Sequence, residues 1–434
     1  MRSIKFNLST PNLNAWDGAV FLSEAYLTMR LKANQVLERL PDTLPSAQRA
    51  TCQALFWGAL RHGHRIRHAL QPFVQGKLRA RIEAIFLVAG YEMLASTSSK
   101  HPQIVHHAVE RGKRLATMAE TRRLNAVLRK LPEALSITHP SNRPDVYFSH
   151  PRWLFKRWNQ AFGPPTTIAL MKWNQAIPAI YLKRYDHSTE PVKGLIATEW
   201  DQFYRVADDV SWQQDLYPVL NQGNAYIKDP STRLAPELLA PQKGQTVLDL
   251  CAAPGGKAYD LAHLMQLEGH IVAVDLPGER IQRLRDNLHN LATDTLRCTI
   301  LESDLLELTE HTFTQAQLPI EYDAVMLDAP CSNTGVIQRR TDVKWRLRGN
   351  TAIRHCAERQ LQLLTAAARW VKPEGRMVYS TCSIEADENK QVVDAFLQSA
   401  AGTRFTLNNS IISLPWETGH DGASAFLLIA KKPA

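Results

Sequence analysis

The sequence predicts a multidomain chain: an all-α region over 1–138, a small α/β module over 139–240, and an α/β domain with a doubly wound parallel sheet over 241–434. Three observations carry this. Apolar residues recur at three- and four-residue spacing through 17–135, the helical period. That period stops at THPSNRPDVYFSHPRW, which holds three prolines. From 241 onward short apolar runs alternate with helical stretches, the pattern of parallel strands joined by crossover helices. At 434 residues the chain is also too long for one typical domain.

In the first part the helical period is clear in AVFLSEAYLTMRL, ATCQALFWGALRHGHRI, RIEAIFLVAGYEMLA, PQIVHHAVERGKRLA and TRRLNAVLRKL. Pro45 and Pro102 sit where helices should start, a position that tolerates proline. Residues 1–150 hold 21 Lys+Arg against 10 Asp+Glu, and the remainder 30 against 32, so this third carries the whole basic excess. Such asymmetry points to a module that binds a polyanion. Arg61, Arg65, Arg67, Lys77, Arg79, Arg81, Arg111, Lys113, Arg114, Arg122, Arg123, Arg129 and Lys130 are expected to line an outer face. His62, His64 and His68, and His106 with His107 and Glu110, lack a cysteine at zinc-ligand spacing, so no metal is expected.

The six cysteines form no C-x-x-C pair and read as free thiols of a reducing cytosol. No apolar run reaches the roughly 18 residues of a membrane span. The opening MRSIKFNLSTPNLNAWDGAV lacks a signal-peptide core, so a cytoplasmic monomer without membrane contact is expected.

The middle module offers two short helical stretches and strand-like AIYLKRY; its role is not legible. The C-terminal strands are TVLDLCA, HIVAVDL, TILESDL, YDAVMLD and RMVYSTC, with TRFTLNN and SAFLLIAKK in the tail. After the first comes Cys251-Ala252-Ala253-Pro254-Gly255-Gly256-Lys257. A glycine turn after the first strand of such a sheet is where a nucleotide-type cofactor meets the backbone. Neither a P-loop nor G-x-G-x-x-G fits: a P-loop needs Gly at 251 and Ser or Thr at 258, which are Cys and Ala. Later strands end on Asp275, Asp304 and Asp328. Asp275 stands where an acid reaches ribose hydroxyls, with Asp304 next toward the adenine end. Each alone reads equally as a helix cap.

Cys331 follows the fourth strand in DAPC and Cys382 the fifth in STCS, so both thiols should emerge at one sheet edge beside the cofactor. Two cysteines there suit methylation of cytosine at carbon 5. That carbon attacks a methyl sulfonium only after a thiolate adds to carbon 6, and a second group must then help remove the carbon-5 proton. An isolated cysteine would read as a small buried hydrophobe.

LDLCAAPGGK, VMLDAPCSNTGVIQRRTDVKW and MVYSTCSIEADEN closely resemble the RNA cytosine-5 methyltransferases of the Sun/Nop type. LFWGALRH, AIFLVAGYEML and LNAVLRK look like the NusB-like RNA-binding domain of the bacterial RsmB (Sun/Fmu) branch. The resemblance implies a Rossmann-like class I methyltransferase domain and S-adenosylmethionine, held by loop 251–257 with Asp275, Asp304 and Asp328. It implies Cys382 as nucleophile, Cys331 in product release, Lys257 and Asp328 at the ring, and small-subunit ribosomal RNA as substrate. Three positions depart from the family pattern. Asn333 replaces a small residue, Lys228-Asp229-Pro230-Ser231 replaces Q-D-x-S, and HDGASAF replaces D-G-x-F. These segments are expected to shape the RNA groove. Two rival readings remain: a DNA cytosine methyltransferase using the P-C cysteine, which the second thiol argues against, and a non-catalytic ribosome-assembly factor, which intact cysteines and glycines argue against.

Overall fold

The computed structural model describes residues 14–29, 31–41, 44–186 and 192–432. Residues 1–13, which hold most of the opening segment read for a signal peptide, lie outside them. The chain forms two compact units, Met1–Ala176 with Ile337–Arg346, and Ile177–Val336 with Leu347–Ala434.

The first unit is helical. Its main helices are Ala15–Met29, Ser46–Leu70, Ala80–Leu94, His101–Leu115 and Met118–Ser136, followed by Arg152–Phe162 and Pro164–Gln175. Pro45 is the N-cap of its helix and Pro102 lies in the first turn of its own, as their sequence positions predict. Thr117 and Glu120 close a capping box at the start of Met118–Ser136. That helix buries Leu124, Val127, Leu128, Leu131 and Leu135, one face at helical spacing. Ala80–Leu94 is apolar on nearly every side, with Ala84–Gly90 all buried, and forms the centre of the core.

Residues Ile337–Arg346 pack into this unit although they lie far along the sequence. Trp345 Nε1 donates to the Leu60 carbonyl at 2.8 Å, and Lys344 Nζ to that of Arg61 at 2.8 Å. The Arg67 guanidinium lies 4.3 Å from the Trp345 ring centroid. Gly63 makes room: a Cβ there would sit 2.2 Å from the Trp345 ring. Arg61 corrects the expectation of an outer basic face. It is buried, and its Nη1 donates to the carbonyls of Asn174, Ala176 and Gln338 at 3.2, 2.8 and 2.9 Å. Those carbonyls recover the hydrogen bonds the guanidinium loses on leaving water. Arg111 likewise pairs with Asp17. Lys113, Arg114, Arg122, Arg123, Arg129 and Lys130 are exposed as expected. Burial, then Lys344, pushes His62 and His64 down to about 3, so both are neutral. Among the described residues no group of three metal-capable side chains converges, and no helix is long and apolar enough to cross a membrane.

The second unit holds two sheets. Strands β1 (Tyr181–Arg184), β2 (Leu195–Ala197), β3 (Phe203–Val206) and β4 (Ala225–Ile227) form an antiparallel sheet in the order β2-β3-β1-β4. Then come β5 (Thr246–Leu250), β6 (Gly269–Asp275), β7 (Leu296–Glu302), β8 (Tyr322–Asp328), β9 (Val371–Thr381), β10 (Phe405–Ser413) and β11 (Ala423–Ala430). Their order is β10-β11-β9-β8-β5-β6-β7. The pairs among β5 to β9 are parallel, and the tail strands β10 and β11 are antiparallel. Alternate residues feed two cores, Leu248 and Leu250 on one face, Val247 and Ala273 on the other. The strand order reverses between β5 and β8, and in such sheets the ligand crevice opens there, beyond the carboxyl ends. β5, β8 and β9 run parallel, so Cys251, Cys331 and Cys382 all leave at that edge.

Candidate active site

The loop after β5 is held from several sides. Asp275 Oδ2 accepts the Ala253 N–H at 2.7 Å, and Asn287 Nδ2 donates to the Pro254 carbonyl at 2.7 Å. Gly255 takes φ +103°, a left-handed conformation that side chains rarely adopt, and ends the loop at helix Gly256–Leu264. The free N–H groups of that first turn give the crevice a positive edge. Cys251 is neutral: burial, then Asp275 and Asp328, push its thiol up to about 12.

The three strand-end carboxylates are in place, each with a local partner as well. Asp275 also accepts the Leu276 N–H at 2.8 Å. Asp304 caps the turn Leu305–Glu307 through the Leu306 N–H at 2.9 Å and meets Arg359 at 3.2 Å. Asp328 accepts Lys257 Nζ at 2.5 Å and the Ser380 hydroxyl at 3.0 Å. Burial works against the Lys257 ammonium, but Asp328, then Cys382 and Asp249, outweigh it and hold the proton on.

The two thiols meet. Cys331 Sγ and Cys382 Sγ are 3.2 Å apart, and Asn333 Oδ1 lies 3.4 Å from Cys382 Sγ. The hydrogen bond to Cys382, then burial, then the charges of Cys382 and Glu388, push the Cys331 thiol well above its ordinary range. Asn333 explains its own departure from the family pattern. Its φ is +64°, where Asn is the best tolerated residue after Gly, and its amide donates to the Cys331 carbonyl at 2.7 Å.

The other two departing segments contribute buried residues that hold loops together. Lys228, Asp229, Ser231 and Asp421 are all buried. Asp229 Oδ1 accepts the N–H groups of Ser231 and Asp421 at 3.0 and 3.1 Å. The Gly422 N–H then donates to Gly335 at 2.9 Å, and the Gly335 N–H to the Cys382 carbonyl at 3.0 Å. A Cβ on Gly335 would lie 2.7 Å from that carbonyl, so three loops converge at backbone contact.

Sequence reasoning missed Asp249. It is 1% exposed, and neither carboxylate oxygen has a partner among the described residues. Burial, then Asp328 and, less strongly, Asp275, push it up to about 8 against the pull of Lys257. The signal was a charged residue inside a buried strand, where a lone carboxylate is costly. It also missed Glu388, which bonds residues of both cysteine loops, and Asn389, which braces the Cys382 loop.

Residues 236–415 match the family described as 16S rRNA methyltransferase RsmB/F, and residues 19–133 match the NusB family. The ribosomal RNA small subunit methyltransferase B of Cronobacter sakazakii is 30% identical over 420 residues, covering 91% of this chain and 94% of its own length. The chain belongs to the 16S rRNA methyltransferase RsmB/F family. The fold of this RsmB/F member agrees: a solved structure titled PH0851 superposes at TM-score 0.76 with 21% identity, over 96% of this chain and 99% of its own. NSun6 from Pyrococcus horikoshii, solved with SFG, superposes at TM-score 0.53 with 16% identity, over 65% of this chain and 99% of its own. RsmB/F proteins are S-adenosylmethionine-dependent RNA methyltransferases, so this chain is an enzyme of that kind.

Proposed function

We propose that the chain methylates carbon 5 of a cytosine in small-subunit ribosomal RNA through a covalent adduct on Cys382. The observation that carries this is the thiol pair at 3.2 Å, at the carboxyl ends of the neighbouring parallel strands β8 and β9. S-adenosylmethionine, when bound, supplies an electrophilic methyl group on a positively charged sulfur.

The residues at the crevice suit that cofactor. Loop 251–257 and the helix start at Gly256 offer backbone N–H groups, and Asp275, Asp304 and Asp328 offer acceptors at successive strand ends. Asp249 is a buried carboxylate with no partner among the described residues, and S-adenosylmethionine carries two cationic centres, its sulfonium and its ammonium. An unpaired buried anion favours a cation strongly.

In this reading the Cys382 thiolate adds to carbon 6 of the ring, and the ring's double-bond electrons move to make carbon 5 nucleophilic. Lys257, held protonated by Asp328, faces the ring's polar edge and offsets the charge that develops there. Once Cys382 is bonded to carbon its sulfur is neutral. The hydrogen bond and charge of Cys382 that helped hold the Cys331 proton are then gone, so Cys331 can lose that proton to solvent water and, as thiolate, take the one on carbon 5. The carbon–sulfur bond breaks, the double bond returns and Cys382 leaves as thiolate. The target base must be unstacked to receive a nucleophile on its face. Exposed Lys113, Arg114, Arg122, Arg123, Arg129 and Lys130 are read as phosphate contacts.

The test is methyl transfer from labelled S-adenosylmethionine to ribosomal RNA from a strain lacking this protein, with denaturing gels for protein–RNA adducts. Wild type should make 5-methylcytosine, Cys382→Ala neither product nor adduct, and Cys331→Ala a lasting adduct. If Cys331→Ala is the variant that cannot form adduct, the two roles are reversed. If wild type methylates another atom, the cytosine reading fails.

A further inference from the structure

Two thiols on separate loops stay 3.2 Å apart only if the loops are fixed to each other. Strand pairing does not reach that far, since β8 ends at Asp328 and β9 at Thr381. Beside the Gly335–Cys382 backbone bond and the hydroxyl contacts of Ser383 with Ser332 and Thr334, at 3.2 and 3.1 Å, the charged link is Glu388, fully buried in the turn Ala386–Glu388. Its Oε1 accepts the Ser332 N–H at 2.8 Å and the Gln360 amide at 3.0 Å. Its Oε2 accepts the hydroxyls of Ser383, at 2.5 Å, and of Ser332. Ser332 follows Cys331 and Ser383 follows Cys382, so one carboxylate grips the residue next to each thiol. Burial raises the Glu388 pKa against the pull of Ser332, Ser383 and Gln360, yet four donors on two oxygens suit an ionised carboxylate, whereas an amide would turn two of its own donors toward them. Asn389, by contrast, braces only the Cys382 side, through Thr381 at 2.6 Å and the Ser383 carbonyl at 2.9 Å.

We propose that Glu388 is a positioning residue for the thiol chemistry, tying both cysteine loops into one frame through Ser332 and Ser383 and presenting one negative charge to the pair. This rests on the two-thiol reading and deepens it. The frame fixes the short sulfur–sulfur distance. The charge adds to what keeps the proton on Cys331, after the Cys382 hydrogen bond, burial and the Cys382 charge. Other titratable groups near the pair are Lys257, with Asp328 on the cofactor side, and Tyr379 from β9.

The experiment is alkylation of the free protein by iodoacetamide from pH 6 to 10, read peptide by peptide by mass spectrometry, beside steady-state kinetics. Wild type, Glu388→Gln, Ser332→Ala and Ser383→Ala are compared. In wild type Cys382 should react before Cys331. Glu388→Gln should move the Cys331 profile to lower pH by about one unit, a tenfold change in proton affinity. It should also lower kcat by about tenfold or more, with KM for RNA and cofactor within about threefold, because no substrate contact is lost. The serine variants should shift the same way by less, and they carry the test if Glu388→Gln does not fold. Folded variants with wild-type alkylation profiles, or with raised KM and unchanged kcat, overturn the proposal. A shifted profile with no methyl product from wild type upholds the frame and sinks the cytosine reading instead.

Discussion

Asp249→Asn should stabilise the free enzyme while weakening its hold on the cofactor. The carboxyl is 1% exposed, has no partner on either oxygen, and is pushed up to about 8 by burial first and then by Asp328. Below about pH 4 it is protonated in both folded and unfolded chains. Between about pH 4 and 8 the unfolded chain loses the proton while the folded one keeps it, so stability falls as pH rises through that window. Each tenfold change in proton affinity is worth about 1.4 kcal/mol, which sets a ceiling of roughly 5 kcal/mol by pH 8. Relaxation and water entry bring the effective cost nearer about 2 kcal/mol. Asn keeps the shape and carries no charge. Its Tm should match wild type near pH 5 and exceed it at pH 8 by roughly 4–8 °C, at about 2–4 °C per kcal/mol for a unit of this size. Titration calorimetry at pH 8 should show S-adenosylmethionine binding at least about tenfold weaker, the cost of losing one buried ionic partner. An Asn variant whose Tm follows wild type from pH 5 to 8, or which binds the cofactor normally, would refute the reasoning.

Three further outcomes follow from the geometry. Asn333→Gly keeps the left-handed backbone but removes the contacts to Cys331 and Cys382; kcat should fall roughly fivefold, about one hydrogen bond's worth, with KM unchanged in steady-state kinetics. Trp345→Ala empties the space beside Gly63 and removes the bond to Leu60; urea denaturation should show a loss of about 3 kcal/mol in the helical unit, near the lower end for a large aromatic. Arg122→Gln with Arg123→Gln removes two exposed charges; the slope of log K against log salt for ribosomal RNA should flatten by about 1 to 2, and an unchanged slope would exclude both from phosphate contact.

The fold was legible because its signals are local. A helical apolar period, proline at helix starts, and apolar runs ending on Asp or Cys each depend on a few neighbouring residues. The paired thiols were legible for the same reason, since parallel strands deliver their carboxyl ends to one edge. Asp249 was hidden because TVLDL reads as one apolar run, and only its packing shows a carboxylate with no partner. Glu388 was hidden because its work depends on Ser332, 56 positions away. The placement of Ile337–Arg346 among the first helices was hidden too. VIQRRTDVKW looks like an ordinary polar loop until Lys344 and Trp345 are seen against the carbonyls of Arg61 and Leu60.

The departures from the family pattern show most clearly how local signals mislead. From sequence, Lys228 stands where the family pattern has Gln, in a segment expected to shape the RNA groove. In the fold its ammonium is buried, donating to the Gly256 carbonyl at 2.7 Å, to the Tyr185 hydroxyl at 3.1 Å and to Asp260 at 2.5 Å. Lys183 joins the same carboxylate at 2.8 Å. Burial lowers the Lys228 pKa to about 8 despite Asp260, the expected direction for an ammonium taken from water. A lone lysine there would be too costly to keep charged, so the buried Lys228 depends on its partner Asp260. Their shared target is the first turn of helix Gly256–Leu264, which fixes where the cofactor loop ends. Lys228→Ala should therefore weaken cofactor binding and leave the salt slope for RNA unchanged. An RNA-facing lysine would do the reverse.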